Sequence, residues 1–102
     1  MIKKILLTAA LLAVTGTAQA NTELCTAVSK NAELIMQLRQ SNAPISGVLE
    51  AVKEVELLVE LVIKAYETPR YNSEEYKDNA IIDFSNLAMV SCLQSFKEVT
   101  TG

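Results

Sequence analysis

The residues with the capacity for chemistry are few, and one type is missing. The chain has no histidine, two cysteines, 12 Asp and Glu against 9 Lys and Arg, and just two arginines, Arg39 and Arg70. Without histidine the usual general base, the commonest zinc ligand and the near-neutral proton switch are gone together. Glu50, Glu54, Glu56 and Glu60 suggest paired-carboxylate hydrolysis, yet they fall on the polar arc of one helical stretch, whereas such pairs must face each other across a cleft. Glu74, Glu75 and Asp78 lack the alternating oxygen spacing and central glycine of a calcium loop, and read better as acids placed at a helix start by the macrodipole. The chemistry therefore points away from an enzyme, a cofactor or a metal site.

Cys25 and Cys92, near the two ends of the chain that follows the first twenty residues, are expected to form one disulfide. Closing so long a loop is worth roughly 4 kcal/mol in the chain-entropy account. A thiol catalyst is disfavoured by the absence of both a histidine base and a C-x-x-C pair.

Two groups remain as candidate binding residues. Arg39 and Gln40 close one helical stretch and Arg70 and Tyr71 follow another, so a chain path bringing them together would compose a planar-donor and aromatic patch of the kind binding hot spots favour. The plainer role for the two arginines is to satisfy terminal carbonyls or to pair with a glutamate. Leu57 and Leu61, one turn apart, interrupt an otherwise charged arc. Such a strip is covered either within the monomer or by a homodimer or other partner, at roughly 2 kcal/mol per buried side chain.

The elements that position these residues are all helical. From Ser46 to Tyr66, Val48, Val52, Val55, Val59, Val62 and Tyr66 recur at alternating steps of four and three residues, which predicts one long helix with a core seam, capped by Ser46 and ending near Glu67 before Pro69. Gly47, a poor helix former, suggests close approach by another segment. A first helix is predicted from about Thr22 to Gln40, with Leu24, Val28, Ala32, Ile35 and Leu38 inward, ended by Pro44. Asn72 or Ser73 can cap a third helical region, whose Ala80–Val99 part is apolar on several sides, as the central helix of a bundle is.

Residues 1–20 read as a signal peptide: Lys3 and Lys4, an apolar run from Ile5 to Val14, and Ala18-Gln19-Ala20 before the expected cleavage. Removing them takes away two lysines and no acid, so the formal charge moves from −3 to −5. That balance disfavours nucleic acid as a partner. The run of about ten apolar residues is too short to cross a bilayer. The product expected is a periplasmic or secreted single domain, residues 21–102, not membrane-spanning once mature.

The cysteines constrain the topology. In three straight helices, up, down and up, Cys25 would sit ~5 Å and Cys92 ~30 Å above the base, ~25 Å apart, whereas a disulfide needs α-carbons within ~7 Å. The expected solution is an all-α four-helix bundle stapled by one disulfide, with a break near Asp78-Asn79 and residues 80–98 running antiparallel to helix 1.

Arg39-Gln40, Ala65-Tyr66-Glu67-Thr68-Pro69-Arg70, Phe84-Ser85-Asn86 and the early and late cysteines together form a pattern. It resembles a group of small exported helical proteins of phage and proteobacterial genomes, which carry an R-Q pair, an A-Y-x-x-P-R junction and an F-x-N ending before a late cysteine. The resemblance covers nearly all of residues 21–102 and implies architecture and export, with no established activity. It departs at Ser41-Asn42-Ala43, where such proteins commonly have a glycine. The function expected is an exported helical binding or interaction protein with a protein partner in the cell envelope, as a phage-related inhibitor or envelope-modifying protein; the alternative is a periplasmic acid-stress holdase.

Overall fold

Over the described residues the fold is all-α, with four helices: α1 (Ile2–Gln40), α2 (Ile45–Val52), α3 (Glu56–Glu67) and α4 (Glu74–Thr101). This computed structural model describes residues 2–101, and side chains over residues 21–97. The expected signal peptide and its cleavage after Ala20 lie outside the residues whose side chains are described. The helix predicted to begin near Thr22 is the C-terminal half of α1, which runs unbroken from Ile2. No helix among the described residues is long and apolar enough to cross a membrane.

Helix α1 is the spine, because each of the other three helices packs against it. It ends in a Schellman turn: the Ala43 N–H donates to the Leu38 carbonyl and the Asn42 N–H to the Arg39 carbonyl. Asn42 has φ 70°, in the left-handed region that asparagine enters more readily than other side chains. It thereby does the work of the glycine that the resemblance led one to expect here.

The central stretch corrects the sequence reading. Ser46–Glu67 is not one helix, since the chain leaves the α conformation at Val55 (φ −117°, ψ 101°) after a turn in which the Val55 N–H donates to the Val52 carbonyl. An extended backbone suits a β-branched residue, Val55 itself is exposed, and its carbonyl accepts from Leu58 and Val59 to start α3. The tertiary reason for the break lies at the far end of α3. Tyr66 donates its hydroxyl to the Ala43 carbonyl at 2.6 Å, whereas a straight helix of this length would carry it ~30 Å from that point. Losing a turn of helix is offset by burial of Val48, Leu61, Val62 and Ala65.

Helix α2 therefore runs down from the top of α1 and α3 runs back up beside it. Two smaller expectations fail with the long helix. Pro44, not Ser46, is the N-cap of α2 and makes no side-chain cap bond, and a Cβ built on Gly47 would meet nothing within 4 Å, so no segment approaches it closely.

The third region is also corrected. It is one helix, α4, which passes through Asp78-Asn79 without a break. The Ser73 hydroxyl accepts the Tyr76 N–H at 3.2 Å as its cap, with Glu74 and Glu75 in the first turn. The topological inference survives with its hinge moved. Because the extra reversal is made at Lys53–Val55, α4 descends antiparallel to α1 and Cys25 bonds Cys92 with α-carbons 5.5 Å apart. Helix α4, expected to be central, lies at the side: Val28, Ala32, Ile35 and Met36 of α1 meet Phe84 and Ala88 of α4 in the core, while Ile82, Leu87, Val90 and Leu93 remain exposed. Close approach of the two helices is marked by the Ser29 hydroxyl, which donates to the Ser85 carbonyl at 3.0 Å.

Candidate functional site

At the top of the bundle the structure joins most of the predicted polar patch. Gln40, the last residue of α1, is only 2% exposed. Its side-chain amide donates from Nε2 to the Pro69 carbonyl at 2.9 Å, and its Oε1 accepts the Tyr71 N–H at 2.8 Å. One amide thus satisfies a donor and an acceptor of the α3–α4 connection, a segment with no secondary structure of its own to do so. Arg39 donates from Nε to the Thr68 carbonyl at 3.0 Å while its guanidinium lies 5.2 Å from the centroid of the Tyr66 ring, within cation–π range.

Arg39, Gln40 and Tyr71 are therefore brought together, with Arg39 and Gln40 engaged in holding the junction. Arg70 is exposed beside them. Tyr71 is half-buried against the ring of Tyr76, centroids 6.1 Å apart, and Tyr76 is 60% exposed. The buried role of Gln40 was not found in the sequence. The available signal was a polar residue continuing the inward Ala32, Met36 series at a step of four.

Burial raises the Tyr66 phenol above its ordinary pKa, and the nearby Arg39 charge partly opposes this. A raised folded-state value means that the contribution of Tyr66 to stability is complete below about pH 10, the unfolded value, and is lost as pH rises beyond it. The loss is reinforced because the phenolate cannot donate to Ala43. Thermal unfolding followed from pH 8 to pH 11 is expected to fall more steeply for the native protein than for Tyr66→Phe. Parallel curves would show that this phenol has no part in it.

The second feature lies lower along α1. Between α3 and α4, floored by Leu24 and Val28 of α1, runs an open groove of ≈ 460 Å³. Leu57, Glu60, Leu61 and Lys64 form its α3 wall, and Phe84, Leu87, Ser91 and Ser95 lie along its α4 wall beside Cys92 of the disulfide. The two leucines singled out in the sequence share this groove with different exposures. Leu61 is 8% exposed within the core, while Leu57 is 47% exposed at the rim. Leu24 and Leu87, at 52% and 55%, complete the apolar lip. The groove is the corner of a helical bundle, opposite α1, that no described helix fills.

Among the described residues no three His, Cys, Asp or Glu side chains gather as metal ligands would. The arrangement offers a shape and an apolar lining for a partner, with a single acid and a single base at its edge. No protein-family model, no curated protein and no solved structure matches the chain.

Proposed function

We propose that this chain is an exported, non-catalytic interaction protein that docks the apolar face of another polypeptide in the groove between α3 and α4. The observation that carries the reading is the groove itself, with Leu24, Leu57 and Leu87 each about half exposed around ≈ 460 Å³. Contiguous apolar surface of this kind on a small domain marks a binding site more often than incidental exposure. Two helices that each pack on α1 and leave the position between them unfilled form the geometry into which amphipathic helices dock. The oxidised cysteine pair and the N-terminal lysine-then-apolar pattern support export to the periplasm. A phage-related inhibitor or envelope-modifying role is the finer form of the proposal and rests on the resemblance described above. The exposed apolar residues along α4, Ile82, Leu87, Val90 and Leu93, favour the holdase as the second reading.

A photo-crosslinking residue at Leu57 tests this. The expected product is one adduct of discrete mass, abolished by L87D on the opposite wall. A smear of unrelated proteins would assign the holdase, and absence of any adduct would remove the groove as a docking site.

A further inference from the structure

We infer that the polypeptide received by the groove is a second copy of this chain, docked through α3 about a two-fold axis. The inference rests on the groove being a docking site and adds the identity of the occupant. Leu57, Glu60, Leu61 and Lys64 stand at i, i+3, i+4 and i+7, hence on one face of α3, and all four line the groove. Glu60 and Lys64 are exposed. The i,i+4 order of acid then base commonly pairs along a helix, yet the ion pair found among the described residues is Lys53 with Glu50.

A ligand of either charge would be attracted by one of these two groups and repelled by the other. The surface that satisfies both presents a base and an acid in the reverse order along a helix. Helix α3 presents that order to itself when turned end over end, because an isologous interface places residue i on j and j on i. With the axis crossing α3 at the level of residue 62, midway between them, Glu60 of each copy meets the partner's Lys64, twice over, and the groove of each copy is closed over Leu24, Leu57 and Leu87.

The opposite wall permits this. Helix α4 has no charged residue from Phe84 to Phe96, so two copies of an acidic chain meet there without like-charge repulsion. Docking through one helix face and one groove is expected to give a weak, micromolar dimer. The Arg70 and Tyr76 corner lies at the other end of α3 and stays open to further partners.

Sedimentation of the oxidised protein tests the inference. The mass is expected to rise from one chain to two between roughly 1 and 100 µM. E60K alone and K64E alone each set like charges against one another across the axis and are expected to weaken association at least ~10-fold, with helical content unchanged because both positions are exposed. The double variant E60K/K64E restores opposite charges and is expected to dimerise like the native protein. A one-chain mass at the highest concentration, or a double variant no better than the single ones, overturns the inference. A monomer that still forms a discrete Leu57 adduct with a different protein would sink the second copy while leaving the docking groove in place, and a monomer with no adduct would sink both.

Discussion

Cys92→Ser is expected to lower the melting temperature by roughly 15–25 °C. The bond joins residues 67 apart in sequence, so its removal returns to the unfolded chain the freedom of a loop that spans all of the described core. Loss of a native bridge from a domain of this size costs about 2–5 kcal/mol, and each kcal/mol is worth roughly 4–8 °C for a chain of under about 100 residues. Among the described residues no second core compensates, because the buried apolar residues of the core form one cluster drawn from all four helices. Reduction of the native protein should reproduce the same fall and leave Cys92→Ser unaffected. If the reduced protein melted within a few degrees of the oxidised one, α1 and α4 would hold together by packing alone, and the staple would be dispensable.

The second large effect is expected at Gln40. Gln40→Leu keeps most of the side-chain volume and deletes both hydrogen bonds, leaving the Pro69 carbonyl and the Tyr71 N–H to find water in a partly buried junction. A cost of about 2 kcal/mol follows from the usual penalty for stranding such groups. Gln40→Ala adds a cavity beside Met36, which is 1% exposed, and should cost about 3 kcal/mol in all. The urea midpoint is the measurement, with an unchanged slope showing that stability alone has moved. Faster hydrogen exchange at Tyr71 in Gln40→Leu would locate the damage in the α3–α4 connection. An undiminished midpoint would mean that the junction is held by Arg39 and Tyr66 without it.

Much of this architecture was legible because it follows from a few hard constraints. Two cysteines that must meet require the last helix to run against the first, and Pro44 and Pro69 end helices as their ring geometry demands. The location of the extra reversal was not legible. Lys53-Glu54-Val55 contains no proline or glycine, and the valine periodicity passes through it without a fault, so the local signal favours a continuous helix. The break is imposed from outside, by the gain from returning Val62 and Ala65 to α1 and Tyr66 to Ala43. Asp78-Asn79 shows the converse, two residues of low helix propensity carried through by flanking turns that bury Ile81 and Phe84. In the candidate site, Leu57 was visible as an apolar residue among charges. The groove beside it was not, because it is made by how far two consecutive helices stand apart across α1, which the residue pattern of neither records.

The placement of the hinge has a consequence for how the chain reaches its final form. In the folded chain Cys25 and Cys92 are brought together by three reversals of direction, at Ser41–Pro44, at Lys53–Val55 and between Thr68 and Ser73. A chain in which α2 and α3 remain one straight helix holds the two thiols ~25 Å apart. Such a chain stays reduced and open to alkylation, however much helix it contains. Among helical chains oxidation therefore favours the native topology: the bond closes where the Lys53–Val55 turn has been made, and a chain with the straight helix must undo it first.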